Sequence, residues 1–350
     1  MASPLATHEA GPASSPPAAP AVAAATPQAE GPIEVEPEST DEADSSYGDQ
    51  VTTFTASLTS SLVNYPIEHG RQYHAYRAGS YPLPNDEPEL ERLDMTHQLM
   101  LAGLNGRLYL APVDMEKVQS ILDVGTGTGI WAIEMGDRFP NAEVLGNDLS
   151  AIQPHWIPPN VKFEIDDVES PWVYSKPFDF IFSRYMAGSI LNWPAFVQNV
   201  HDNLAPGGWA EFQDYDGEWY SGDGSLTASH ATRTWMNGLI EAGNKLGRDP
   251  QPGGKLEGWA RAAGFANVAH RRFKFPIGPW ARDPHLKRVG LWNITQVLEG
   301  LEAFSLRLYC DVLGWKEDEV VVLLANVRNE LKSGKIHAHV ELHVVYGQKE

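Results

Sequence analysis

Ile121-Leu-Asp-Val-Gly-Thr-Gly-Thr-Gly129 is a short apolar strand running into three alternating glycines, and the architecture follows from it. A strand that enters a glycine-rich turn and then a helix is a nucleotide-cofactor turn of an open α/β sheet, because glycine lets the backbone come close to a ligand. Dinucleotide dehydrogenases use G-x-G-x-x-G and place a pyrophosphate at the helix N-terminus. Here the sixth position is Ile130, and Asp123, two residues before Gly125, would repel a pyrophosphate. S-adenosylmethionine carries no phosphate but has an ammonium and a sulfonium, so an acidic residue at this turn favours it. Asp123, Gly125, Gly127 and Gly129 therefore indicate S-adenosylmethionine rather than NAD.

The following strands carry the rest of this signature. Ala142 to Asn147 reads as a second strand ending in Asp148. That carboxylate follows the glycines by about 20 residues, the spacing at which an acidic side chain accepts the ribose hydroxyls of a nucleoside. Val161 to Ile165 reads as a third strand ending at Asp166 and Asp167, within reach of an adenine amino group in this layout. Phe178 to Phe182 is nearly all apolar, as in a strand buried on both faces, and it ends at Ser183-Arg184-Tyr185. Arg184 thus lies at the sheet edge where such folds bind ligands. Pro194 opens a helix to Leu204, and Pro206-Gly207-Gly208 turns the chain into a fifth strand, Trp209 to Phe212.

The remaining segments flank this half-sheet. Helices are expected over residues 229–246 and 256–263, a sixth strand over 268–275, and mostly helix over 287–333. Ile336 to Val344 alternates apolar and polar residues, a strand signal. Its His337, His339 and His343 spread over about 20 Å at the strand rise, too far to share one ion; they read as a polar strand face, and no metal site is expected. Trp219, Tyr220, Trp235, Trp292 and Trp315 are candidates for an aromatic substrate pocket. His230, Glu211, Asp214 and Tyr185 lie near the expected site, but none is singled out as a catalytic base.

Residues 51 to about 105 form a separate unit. Leu58, Leu62 and Val63 sit at helical spacing, and Glu89 to Leu104 reads as an amphipathic helix with Leu90, Leu93, His97, Met100 and Leu101 on one side. Between them Arg71, Tyr73, Tyr76, Arg77 and Tyr81 gather cations and aromatics. They pack the segment or close it as a lid, with arginine on the methionine carboxylate and tyrosine facing the sulfonium. Residues 1–50 are rich in Ala, Pro, Ser and acidic side chains, a composition unable to offset its own ordering entropy. This acidic tail is expected to be disordered, and it is a candidate surface for a protein partner. The domain plan is tail 1–50, lid 51–105 and catalytic domain 106–350.

Composition excludes several classes. The chain has 350 residues and a formal charge of −20, which opposes direct nucleic-acid binding. No run approaches the roughly 18 apolar residues of a membrane span. The one cysteine, Cys310, cannot form an internal disulfide or a thiolate zinc site. Prolines interrupt the N-terminal alanines and no Lys or Arg precedes Arg71, so no secretory or mitochondrial leader is expected. The expectation is a cytoplasmic or nuclear protein.

Arg71-Gln-Tyr-His-Ala-Tyr-Arg77, Leu83-Pro-Asn-Asp-Glu87, Leu122 to Trp131, Asp148 to Pro154, Arg184 to Ser189 and Leu204 to Gly208 together resemble the fungal class I S-adenosylmethionine-dependent methyltransferases of secondary metabolism. That group includes the velvet-complex regulator and related enzymes of biosynthetic gene clusters. The resemblance runs from about Thr59 to the C-terminus. It implies a Rossmann-like α/β fold, a seven-stranded sheet with its last strand antiparallel, and an N-terminal helical lid. It also implies that Arg71, Tyr73 and Tyr76 cover the cofactor. One departure is Asn147, where an apolar residue is usual. The expected activity is methyl transfer to O or N of a small molecule, the alternative being a nuclear regulator that acts in a protein complex.

Overall fold

The computed structural model describes residues 64–350 except Ala78, Ser80 and Met115. The acidic tail and the expected helix at Leu58–Val63 lie outside the described residues. The first described element is a two-stranded hairpin, β1 (Ile67–Glu68) and β2 (Arg71–Gln72), with His69 and Gly70 at its turn. Within the segment expected as a helical lid, residues 64–86 form this hairpin and turns, and they lead into helix α1 (Glu87–Gly103). Prolines at 66, 82 and 84 and the left-handed His69, Gly70, Arg77 and Gly79 account for this.

Helix α1 starts where Asp86 accepts from the Glu89 N–H and Pro88 occupies the first turn. Its buried stripe is Glu89, Arg92, Thr96, His97, Leu99, Met100 and Gly103, while Leu90, Leu93 and Leu101 stay partly exposed. His97 and Met100 of the expected face are thus buried, and a buried ion pair rather than Leu90 and Leu93 occupies the N-terminal part of the stripe. Arg92 holds both oxygens of Glu89, at 2.9 and 2.7 Å, and both side chains are 1 % exposed. Gly103 lets the helix meet the Phe275 ring; a Cβ there would lie 2.0 Å from it.

One seven-stranded sheet organises the rest. Its strands are β3 (Ser120–Val124), β4 (Glu143–Asp148), β5 (Val161–Ile165), β6 (Phe178–Arg184), β7 (Leu204–Tyr220), β8 (Ala266–Ile277) and β9 (Ala338–Gln348). The spatial order is β5-β4-β3-β6-β7-β9-β8. β3 to β7 pair in parallel, and β9 runs antiparallel to both β7 and β8. The last strand is antiparallel, as the resemblance implies. The Pro206-Gly-Gly turn is absorbed as an irregularity within a single long β7, whose Gly207 has φ +82°.

Helices cover both faces. α2 (Ile130–Arg138) follows the glycine turn and packs with Ile121, Val144 and Phe180. α3 (Trp193–Asp202) and α5 (Leu256–Ala262) share a core with Ile181, Ala210 and Phe212. α4 (Ala231–Lys245), α6 (Pro284–Arg307) and α7 (Glu317–Lys332) cover β7, β8 and β9 around Trp235, Leu301, Tyr309 and Leu342. Among the described residues no helix is long and apolar enough to cross a membrane.

Candidate functional site

The sheet order reverses at β3, whose neighbours are β4 and β6. Connections leave β3 and β6 in opposite directions there, which opens a crevice at their carboxyl ends. Gly125, Gly127 and Gly129 fill that edge with φ of +68°, +57° and +80°, backbone that side chains with a Cβ resist. A Cβ at Gly125 would sit 2.6 Å from Met186 Sδ, and one at Gly129 would sit 2.4 Å from the Phe163 ring. Gly125 thus keeps the cleft open, while Gly129 lets α2 close onto the sheet.

A cleft beside the turn is lined by Gly125, Gly127, Asp148, Asp166, Asp167 and Arg184, with Tyr81, Asn85 and Met186 closing it. Asp148 Oδ2 accepts from Gly127 N at 2.9 Å and Oδ1 from Ser150 N at 3.0 Å. Burial raises its pKa, and these backbone donors oppose the shift. Two bonds leave a carboxylate with further acceptor capacity for a ligand. Asp166 Oδ1 accepts from Asp167 N at 2.8 Å, and Asp167 Oδ1 from Glu169 N at 3.0 Å. The two strand ends are thus folded into tight turns against the cleft.

A smaller recess on the other side of the glycines joins Asp123, Thr126, His97 and Arg184. Asp123 accepts from Thr126 Oγ1 at 2.6 Å, and burial pushes its pKa up to about 6. Arg184 lines both cavities. It donates to His97 Nδ1 at 3.0 Å, while His97 Nε2 lies 3.2 Å from Glu134 Oε1. Since arginine only donates, His97 Nδ1 accepts and Nε2 carries the proton. Burial, with the Arg184 cation second, drops the His97 pKa to about 3. The glutamate pulls the other way, but the nitrogen left to protonate is the one facing Arg184. Among the described residues no carboxylate lies within ion-pair distance of Arg184. A partly buried guanidinium without an ion pair suits an anionic group of a ligand.

Asn147 has a role that an apolar residue could not supply. It is buried, its Oδ1 accepts from Gly125 N at 3.3 Å, and its amide donates to Tyr174, which donates to Glu164. The departure from the family pattern therefore braces the glycine turn.

Arg71, Tyr73 and Tyr76 are not among the residues that line the cleft. Arg71 forks onto both oxygens of Asp86 at 2.6 Å, Tyr73 lies under the Arg307 guanidinium at 4.7 Å, and the Arg77 guanidinium lies 5.8 Å from the Tyr76 ring. The same N-terminal segment reaches the cleft further along, through Tyr81, Pro84, Asn85 and Leu93. Asn85 donates to Ser150 Oγ at 3.2 Å, which ties the segment to the end of β4. The Leu83-Pro-Asn-Asp-Glu87 stretch was visible in the sequence, but nothing in its composition gives Tyr81 or Asn85 an inward direction.

The other candidates separate by surroundings. Glu211 accepts from Leu110 N, Ala111 N and Gln213, and Asp214 accepts from Met186 N, Ala187 N and Tyr215 N. Burial raises both to about 7, yet their oxygens are committed to backbone and amide donors. His230 caps a turn by accepting from Thr227 N at 3.1 Å. Tyr185, with φ +64°, lines the cleft.

Tyr185 and Tyr81 also line a second, mostly apolar cavity of about 220 Å³ that includes Trp219, Trp235, Met236 and Phe304. Tyr220, Trp292 and Trp315 fall outside its lining; Trp292 and Trp315 pack against the core. Asn293 and Gln296 give the cavity its amides. Gln296 accepts from Arg92 at 2.9 Å and donates to Asn293 at 3.0 Å. The Arg92 guanidinium lies 5.7 Å from the Tyr185 ring and 4.7 Å from the Phe304 ring. The buried ion pair of α1 therefore supports the wall between the two cavities.

Residues 95–270 match the family described as "Methyltransferase domain". The chain is 48% identical to methyltransferase pytC of Aspergillus terreus over 294 residues, which covers 84% of this chain and 90% of that protein. It is 39% identical to the secondary metabolism regulator LAE1 of Cochliobolus heterostrophus, covering 80% and 93% of the two chains. It is 36% identical to the probable methyltransferase tdiE of Emericella nidulans, covering 75% and 82%. With its sheet, its glycine turn and these relatives, the chain belongs to the methyltransferase-domain family found in fungal secondary metabolism.

Proposed function

We propose that the protein methylates an oxygen or nitrogen of a small, largely apolar metabolite. The methyl donor of this enzyme is S-adenosylmethionine, and the cleft fits it. Asp148 keeps free acceptor capacity for a ribose diol, and Asp166 and Asp167 lie beside it for the adenine side. Asp123 offers a carboxylate to the ammonium, and Arg184 offers the cation without an ion pair to the amino-acid carboxylate. Arg71, Tyr73 and Tyr76 would act on the cofactor only indirectly, by fixing the segment that carries Tyr81 and Asn85 over the cleft.

The observation that carries this reading is the apolar cavity sharing Tyr81 and Tyr185 with the cofactor cleft. Bound S-adenosylmethionine supplies an electrophilic methyl group. Apolar walls exclude water and hold an acceptor in line, and such positioning is a large part of the rate in a displacement. Among the described residues the cavity lining holds no carboxylate, imidazole or amine; its titratable groups are Tyr81, Tyr185 and Tyr215, all pushed upward by burial. No side chain there serves as a base at neutral pH. The acceptor therefore brings a nucleophile that needs no deprotonation by the enzyme, such as a carboxylate, an acidic enol or an unprotonated amine.

A second reading is regulation within a nuclear complex, favoured by the 39% identity to a secondary metabolism regulator. The acidic tail would then be the partner surface, and the protein would reside in the nucleus rather than the cytoplasm. One experiment separates the two. Labelled S-adenosylmethionine is supplied with host metabolite extract and with host protein, using the wild type and Val297→Trp, which fills the cavity. Label in a small molecule, lost in the variant while S-adenosylhomocysteine still binds, supports the enzyme reading. Label confined to protein, or small-molecule label unaffected by Val297→Trp, overturns it.

A further inference from the structure

The strand β9 carries Glu341 and His343 on one face, opposite an irregularity of β7 between Tyr215 and Trp219 that holds Asp216. One ligand atom from each of Asp216, Glu341 and His343 lies within 4.8 Å of the others. His343 is 4% exposed, and its buried Nε2 has no hydrogen-bond partner. That nitrogen is 3.9 Å from Asp216 Oδ2, too long for a hydrogen bond.

The hydrogen bonds behind the ring fix which nitrogen is bare. Glu257 Oε2 lies 3.1 Å from His270 Nδ1, and His270 Nε2 lies 2.8 Å from His343 Nδ1. A carboxylate only accepts, so His270 Nδ1 donates to it. A neutral imidazole carries one N–H, so with His270 Nδ1 donating its Nε2 accepts and His343 Nδ1 donates. His343 Nε2 is left with a lone pair directed among two carboxylates, an arrangement that a cation resolves. The ring is pinned there, since a Cβ at Gly253 would lie 2.7 Å from His343 Cδ2.

We propose that Asp216, Glu341 and His343 bind one divalent first-row transition cation, zinc or manganese, which ties the irregular part of β7 to β9. An imidazole with two carboxylates is a donor set such ions accept. The Glu257–His270–His343 relay is the outer support that metal-binding histidines use to fix tautomer and orientation. Zinc ligands stand about 2.0–2.2 Å from the ion, so binding draws the carboxylates inward; Asp216 and Glu341 are partly exposed. Arg272 Nη1 reaches Glu341 Oε2 at 3.5 Å, beyond hydrogen-bond distance, and Tyr220 donates to Asp216 Oδ2 at 2.6 Å. Lys274 is the register partner of Glu341 on β8, and His339 lies two residues from it on β9, its ring 5.8 Å from that of Tyr220. Tyr215 and Gly217, which flank Asp216, line the apolar cavity. The ion would stiffen the wall of that cavity without touching the cofactor cleft.

The test uses the full chain after chelator treatment, titrated separately with zinc and manganese chloride by calorimetry and by thermal melting. The expected result is about one site per chain and a melting temperature raised by one of the ions. Asp216→Asn and Glu341→Gln, partly exposed near-isosteres, should weaken binding at least tenfold and abolish the melting shift. Glu257→Gln, acting through His270, should weaken it about tenfold. His343→Ala is avoided as the deciding variant because its ring packs against the Gly253 backbone. Absence of binding by both ions overturns the proposal. So does wild-type affinity in both carboxylate variants, which would put the ion elsewhere, for instance at His337 and Asp223, 2.6 Å apart.

Discussion

Replacing Asp148 with alanine tests the cofactor reading most directly. The carboxylate already accepts from Gly127 N and Ser150 N, and those two bonds exist with or without ligand, so their loss cancels in a binding measurement. Its remaining acceptor positions are the ones a ribose diol would use. Each hydrogen bond to a charged group contributes about 1.5–3 kcal/mol. Two such bonds at the lower end give about 3 kcal/mol, which corresponds to roughly 150-fold in Kd. The lower end applies because burial already raises the Asp148 pKa, so the free enzyme carries a strained charge that the variant relieves. Asp148→Asn keeps one acceptor and should lose about 1.5 kcal/mol, roughly tenfold. Calorimetric titration with S-adenosylhomocysteine reads both values, and circular dichroism confirms the fold. If folded Asp148→Ala binds within about fivefold of wild type, Asp148 is not the ribose ligand, and the orientation of the cofactor in the cleft must be redrawn.

Two further outcomes follow from the geometry. Asp123 is raised to about 6 by burial, so its carboxylate gains a proton as the pH falls through 6 and no longer attracts an ammonium. Affinity for S-adenosylhomocysteine should then fall roughly tenfold per pH unit below 6; Asp123→Asn should flatten that profile, and an unchanged profile would remove Asp123 from the site. Arg71→Ala should cost about 1.5–3 kcal/mol of folding stability, because a forked, mostly buried pair with Asp86 is lost. Ligand affinity should stay within about twofold, as Arg71 is not part of the cleft lining; denaturant melts and calorimetry check the two halves, and a tenfold affinity loss at unchanged stability would return Arg71 to the cofactor.

The sheet, the glycine turn and the acidic strand ends are legible in the sequence, each for a local reason. Glycine at 125, 127 and 129 answers a backbone requirement, since all three adopt positive φ. Asp148, Asp166 and Asp167 follow their strands directly, so parallel pairing of β3, β4 and β5 brings them to the edge that holds the glycines. The apolar runs of the parallel strands and the alternation of β9 are likewise legible, because side-chain period follows from strand geometry. Asp123 was legible as an acidic residue at the turn, but not as one whose pKa burial lifts to about 6.

What depends on contacts far apart in the chain is legible only in the folded protein. Arg71 reads as a ligand for a carboxylate and finds one, but it is Asp86 of its own segment, since the nearest partner in space wins over the one the pattern implies. Glu89 and Arg92 look like surface residues of an amphipathic helix, yet they neutralise each other in the core and hold the wall of the apolar cavity. Trp219 and Trp235 enter that cavity while Trp292 and Trp315 do not, a distinction that composition cannot make. His343 reads as one of three histidines spread along a strand. Only the approach of β7 and β8 from either side gives it Asp216 in front and His270 behind. Backbone conformation and strand period are written locally, residue by residue, whereas side-chain partners are set by which surfaces the folded sheet and its helices press together.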